Sequence, residues 1–273
     1  MSSFQQRPPV LGESTAIESL RDFIVGVSLR SIPVLLVGAS GVGKRLAASK
    51  IQSIGRYPDV HLQEIEASSI SLEHAIGAGL DPDNPLVGGN QTTLHITGTE
   101  LVDRSVAEAL ERRISCDPDL PRLLFSSRTP IAVWKNLPIG VGALAQMLAD
   151  HEHTIPPLRE RIEDVPHLCR YRIQTLTEPE EFEECWREFS SRLLPGMLAY
   201  DWPGNVRELN SVVSRCCAMP VGCCADPARS FAREFEKGLG KFRRSMALEV
   251  LQAGSSMRAI NGIRWDEGSN RAN

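Results

Sequence analysis

The chain has 273 residues, 42% hydrophobic and 23% charged, which is enough for one large domain or two smaller ones with real cores. A net charge of −4 excludes a global basic field for nucleic acid, and no apolar run approaches the roughly 20 residues that cross a bilayer. The N-terminal MSSFQQRPPV carries no hydrophobic signal core, so a cytoplasmic protein without membrane association is expected.

In chain order, VLGES leads into TAIESLRDFIVGVSLR, whose apolar residues recur at helical spacing, with Ser14 placed as its N-cap. Next comes PVLLVGASGVGKRLAASKI, Pro33 to Ile51, an apolar strand, a glycine turn and a helix. That is the order a phosphate-binding loop requires. Gly38, Gly41 and Gly43 let the backbone N–H groups of the loop, which also contains Ala39, Ser40 and Val42, close around phosphate oxygens. The helix N-terminus adds its positive dipole end, and Lys44 supplies a point charge for the outer phosphates. The position after the lysine, where a Ser or Thr hydroxyl ordinarily holds Mg²⁺, is Arg45.

VHLQEIEA alternates like a strand, ISLEHAIGAGL reads as a short helix and TTLHIT as another strand. DRSVAEALERRI is an amphipathic helix and RLLFSSR a buried strand. Strands alternating with helices predict an α/β domain, a mostly parallel sheet with helices on both faces. From PPLRERIEDVPHL onward the strand signal fades, and helical stretches from Glu163 to Cys217 predict a small helical lid domain. The expected boundaries are 1–162, 163–222 and a C-terminal helical segment over 223–273.

Seven cysteines cannot all pair within the chain. Cys116, Cys169 and Cys185 are isolated in sequence, while Cys216, Cys217, Cys223 and Cys224 fall within nine residues. Adjacent cysteines lack the two-residue spacer that turns both sulfurs to one ion, so small apolar packing residues are expected there rather than a metal site.

VLGES, VLLVGASGVGK, IPPLRERIEDVPHLCRY and YDWPGNVRELNSVV occur in this order, at similar spacing, in the AAA+ domain of bacterial enhancer-binding proteins, the ATPases that activate sigma-54 RNA polymerase. Residues 9 to 217 resemble that family. The resemblance implies a P-loop AAA+ fold with a lid and ATP or ADP as cofactor. It places the nucleotide phosphates at Gly38, Gly41, Gly43 and Lys44, and the adenine near Leu11 and Gly12. Arg207 resembles the arginine that reaches the phosphates from the lid. Arg159, Glu160 and Arg161 are expected to fix the link between subdomains and not to act in catalysis.

Four departures bear on activity. The strand that ends in Asp-Glu in the family ends here in Thr97 and Gly98, with Glu100 and Asp103 further on, where the strand has already ended. The interval LEHAIGAGLDPDNPLVGGNQ lacks the Phe-Thr core and the length of the sigma-54 contact loop. VGALAQMLADHEHTI, where the family supplies arginines to a neighbouring subunit, has no Arg or Lys, and the Thr-Asn sensor reads SSR. FEKGLGKFRRSMALEVLQAGSSMRAINGIRW faintly resembles the start of the family's helix-turn-helix, without a full recognition helix.

The expectation is a nucleotide-binding transcriptional regulator with little turnover, Mg²⁺ held weakly or not at all, no catalytic residue, and no DNA binding by this chain alone. Expected partners are further copies or AAA+ paralogues and the transcription machinery or another regulator. The alternatives are a slow ATPase in mixed rings with a competent paralogue and a scaffold that binds no nucleotide.

Overall fold

Residues 9–217, apart from 56–57, 59–61, 77–85, 87–91, 118, 138 and 141, are described by the computed structural model. Every residue of β1 (Val34–Val37) is buried. An unbroken apolar strand of this kind belongs where both sheet faces are covered. It lies in a five-stranded parallel sheet with β2 (Leu62–Glu66), β3 (Thr93–Thr97), β4 (Arg122–Ser127) and β5 (Glu152–Thr154), in the order β2-β3-β4-β1-β5.

Alternation across the pleat divides the core in two. Leu35, Val37, Leu94, Ile96, Leu123 and Phe125 enter one cluster with residues of α3 (Leu72–Ile76), α4 (Arg104–Cys116) and α5 (Ala143–Ala149). Val34, Leu36 and Leu124 enter the other with α1 (Thr15–Ser28) and α2 (Lys44–Ile54). α1 buries Ile17, Leu20, Ile24 and Val27, one helical face. Its N-cap is Ser14, whose hydroxyl accepts the Ile17 N–H at 3.3 Å. At the other end the Arg122 guanidinium donates to the Val27 and Ser28 carbonyls at 2.6 and 2.7 Å, placing a cation at the negative pole of the helix.

The expected α/β architecture is therefore present, with two elements, α5 and β5, that the sequence reading does not predict. β5 has three residues and neither alternation nor a β-branched run. Its strand character comes from pairing with β1, Leu35 opposite Glu152 and Val37 opposite Thr154. β1 thus has β4 on one side and β5 on the other, the kind of switch in strand order at which α/β sheets open a crevice.

Beyond β5 come α6 (Val165–Gln174), α7 (Phe182–Arg192), α8 (Leu194–Leu198) and α9 (Asn205–Cys217), the helical lid. Buried Trp202 donates its indole N–H to the Met197 carbonyl at 2.9 Å. Cys169 on α6 is buried close to Cys216 and Cys217 on α9, and burial pushes the Cys216 thiol up to about 12. These thiols pack as apolar groups. Cys223, Cys224, the helix-turn-helix-like segment and most of the interval that follows α3 lie outside the described residues.

Asp164 joins the two ends of the α/β domain. It is fully buried and accepts the N–H groups of Glu13 and Ser14 at 2.8 and 2.9 Å and the Ser14 hydroxyl at 2.7 Å. Buried Arg161 lies 3.6 Å from it and donates to the Pro156 carbonyl at 3.2 Å and to the Val42 carbonyl at 2.9 Å. Gly12 has φ 135, and a Cβ there would fall 2.4 Å from Asp164 Oδ1. Asp164→Ala leaves Arg161 buried without its carboxylate and is expected to cost about 3–5 kcal/mol. Glu160→Ala, which removes only the exposed partner of Arg159, is expected to cost less than about 1 kcal/mol. Urea denaturation of both variants checks the contrast.

Candidate nucleotide-binding site

The turn between β1 and α2 is built to receive an anion. Gly41 and Gly43 have φ 80 and 117, left-handed values that point successive peptide units inward. Among the described residues, nothing accepts from the N–H groups of Ser40, Gly41, Val42 or Gly43. The Lys44 ammonium folds back over the turn and donates to the Gly38 and Ala39 carbonyls at 2.5 and 3.0 Å. Burial, with the charges of Arg128 and Arg207 adding to it and Glu100 opposing, brings the Lys44 pKa down to about 8. An incoming phosphate therefore meets free N–H donors and a cation with incomplete solvation.

The lid reaches this turn directly. Asn205 accepts the Leu158 N–H on Oδ1 at 2.7 Å and donates from Nδ2 to the Ser40 carbonyl at 2.9 Å. The Arg207 N–H donates to the Gly41 carbonyl at 3.3 Å, and its guanidinium to Ser40 Oγ at 3.3 Å. Contact is so close that a Cβ on Gly41 would fall 2.3 Å from the Gly204 carbonyl oxygen. Trp202 and Asn205 hold left-handed φ values of 49 and 53. Asn tolerates that region; Trp does not, and the cost is on the order of 1–3 kcal/mol. The buried indole and the Asn205 hydrogen bonds hold the turn in place, so strain is spent where lid meets loop.

At the C-terminal ends of β3 and β4 the chemistry differs. The Thr97 hydroxyl is turned to the Ile65 carbonyl at 3.4 Å, and Gly98 takes φ 72 to turn the chain. Neither supplies a carboxylate. A 3-10 turn, Thr99–Leu101, then buries Glu100. Its Oε1 accepts the Arg128 N–H at 3.2 Å, while Oε2 is buried with no hydrogen-bond partner. Thr99 is pinned by its hydroxyl donating to the Ser126 carbonyl at 3.1 Å.

Of the residues expected to line the site, Gly38, Ala39, Ser40, Gly41, Val42, Gly43, Lys44 and Arg207 come together. Arg45 turns aside, its exposed guanidinium 2.9 Å from Glu64 on β2. Leu11 and Gly12 lie on the segment tied to Asp164, and the Gly12 carbonyl accepts from Arg21 at 2.6 Å. His95, on β3 beneath the loop, is fully buried, and burial with the charges of Lys44 and Arg45 lowers its pKa to about 4. It is neutral at pH 7. Sequence patterns did not single out Asn205 or Arg128, and Glu100 was placed beyond the strand. A positive φ and a 3-10 turn leave no periodic signal. The open N–H groups, Lys44 and the lid arginine fit the phosphates of a nucleotide. For Mg²⁺ the hydroxyl beside the lysine and the strand-end acids are absent, and the orphaned Glu100 oxygen is what remains.

Comparison with known proteins agrees with this geometry. Residues 159–251 match the model of the AAA+ ATPase lid domain. The chain is 32% identical over 244 residues to the nitric oxide reductase transcription regulator NorR1 of Cupriavidus necator, covering 80% of this chain and 46% of that protein. It is 26% identical over 238 residues to the DNA-binding transcriptional regulator NtrC of Rhizobium meliloti, covering 79% and 49%. The chain spans about half the length of the curated relatives it matches. Among solved structures, NtrX of Brucella abortus in complex with ADP shares the fold with a TM-score of 0.64 at 20% identity, over 80% of this chain and 52% of that one. Loop, sheet order, lid and relatives agree on an AAA+ P-loop domain with its helical lid, similar over most of its length to bacterial transcriptional regulators such as NorR1, NtrC and ZraR.

Proposed function

We propose that this chain is a cytoplasmic transcriptional regulator that binds ATP or ADP between the glycine loop and the lid, turns it over little, and does not remodel sigma-54 directly. The observation that carries this reading is the joining of an intact loop, Lys44 and Arg207 to a strand end that carries Thr97 and Gly98. Binding needs donors and cations, which are present. Hydrolysis needs a base to polarise water and a cation to gather phosphate charge, for which the family's residues are replaced. With domain limits taken at 162 and 222, the loop and the lid arginine would belong to different domains, and a nucleotide touching both would favour one arrangement of the two. The switch would act on assembly with other copies or paralogues, or on the transcription machinery. NtrX, of similar fold, has been crystallised in complex with both ADP and ATP, which supports the choice of ligand.

Lys44 gives a pH signature. Its free-state value of about 8 should rise when phosphates pair with it. Below pH 8 the ammonium is charged in both states and affinity is flat. Above pH 8 binding takes up a proton, so affinity should fall up to about 10-fold per pH unit until the raised value is reached. Calorimetry with ADP between pH 7 and 9.5 tests this, and Lys44→Ala should bind weakly with no such slope.

Turnover by the purified chain should be negligible. Thr97→Asp with Gly98→Glu should strengthen Mg²⁺-dependent binding without giving fast hydrolysis. Any side chain at position 98 must adopt φ 72, at a strain of about 1 kcal/mol. Lys44-dependent phosphate release by the unmodified chain would instead favour the slow-ATPase reading.

Coupling should run through Arg207. Sedimentation with and without ATP should show a nucleotide-dependent change in assembly, and Arg207→Ala should weaken that change more than it weakens nucleotide binding. Identical sedimentation in both states, with nucleotide bound, would remove the switch.

A further inference from the structure

The nucleotide site contains a carboxylate that the family's strand-end pattern does not supply. Gly98 ends β3 with a left-handed turn, and the following 3-10 turn carries Glu100 back inward, where it is 7% exposed. One oxygen is anchored by the Arg128 N–H at the end of β4. Oε2 is buried and has no protein partner. A buried carboxylate oxygen without a protein donor is costly, and a cation entering beside it would offset that cost. The charge of the same side chain favours the Lys44 ammonium, against the burial and the neighbouring arginines that disfavour it.

We propose that Glu100 is the residue through which a divalent cation acts on nucleotide binding at this site. The inference rests on the nucleotide-binding reading above. A phosphate chain seated on the loop and Lys44 brings negative charge toward an anionic, buried oxygen. With no cation the two repel, and nucleotide binds against that repulsion. A divalent cation is attracted to both anions and relieves it, with Glu100 as a protein carboxylate available to it. Thr97 and Gly98 offer no charge, so cation dependence is smaller than a strand-end acidic pair would give, and it passes through position 100.

The test is calorimetric affinity for ATP in Mg²⁺ and in EDTA, on the full chain and on Glu100→Gln. The amide keeps the shape and the acceptor for the Arg128 N–H while removing the charge. The unmodified chain should bind ATP about 10-fold more tightly in Mg²⁺ than in EDTA, the effect of one nearby buried charge. Glu100→Gln should reduce that ratio below about 3-fold, chiefly by tightening binding in EDTA, which a loss of structure would not do. Glu100→Asp, which keeps the charge, should retain the EDTA penalty and serves if the amide variant does not fold. An equal Mg²⁺ to EDTA ratio in the unmodified chain and Glu100→Gln, or in Glu100→Asp an absent penalty, overturns the inference and leaves nucleotide binding standing. No binding of ATP by the unmodified chain in either buffer overturns both.

Discussion

Three segments far apart in sequence meet at one buried ion pair. Asp164 accepts from the backbone of Glu13 and Ser14, Arg161 donates to Pro156 and Val42, and the two charges face each other. Desolvating a guanidinium and a carboxylate costs several kcal/mol each, and only near-complete hydrogen bonding offsets it. Burial pulls the Arg161 pKa down while Asp164 opposes that shift. The pair therefore acts less as a source of stability than as a specification of geometry. Through these bonds the N-terminal segment, the glycine loop and the entry to the lid are fixed in one mutual arrangement. Paired charges in PPLRERIEDVP do different work by position: Arg159 and Glu160 are exposed, Arg161 and Asp164 are interior.

From that joint the chain passes through α6, α7 and α8 and returns to the loop at the start of α9, through Gly204, Asn205 and Arg207. The lid is thus held to the loop at two places, a rigid one through Arg161 and a strained one through Trp202 and Asn205. Strained contacts are the natural place for a second arrangement, because releasing them returns part of the cost. Lys44 adds a competition of its own. Its ammonium is satisfied by the Gly38 and Ala39 carbonyls, so phosphates must replace those bonds with stronger, charge-assisted ones. A nucleotide that also pairs with Arg207 draws on both sides of the loop at once.

Much of this was legible in the sequence, because it rests on patterns that sequence carries. An apolar run into a glycine turn placed β1, the loop and α2, and helical spacing placed α1 and α4. Ser14 was readable as a cap because the N-cap preference is local. β5 was not, since its three residues become a strand only by pairing with β1. In the sequence Glu100 stands beyond the strand, because Gly98 ends it. A left-handed residue followed by a 3-10 turn reverses direction within three residues, and it is that reversal which brings Glu100 back to the site. Arg128 and Asn205 likewise owe their positions to tertiary contact, at the end of β4 and at a positive φ on the first residue of α9. For the same reason Arg45 could not be placed by its position in the loop motif, since its partner Glu64 on β2 meets it only through tertiary contact.

The charges assembled around the loop decide what it can attract. Lys44, Arg128 and Arg207 are cationic neighbours, Glu100 is the acidic group among them, and His95 beneath is neutral. Replacing a strand-end acidic pair by Thr97 and Gly98 shifts such a set toward positive charge. A more positive site holds anions with less help from metal, because protein cations already do part of the neutralising. On the proposed reading it also lacks the acidic pair that would gather a cation and a water at the terminal phosphate. On the reading proposed above, nucleotide binding and low turnover would be two results of the same substitutions. His95 fits that balance: a protonated imidazole would be repelled by Lys44 and Arg45 and desolvated under α2, so the position is compatible with the cationic loop only in the neutral form.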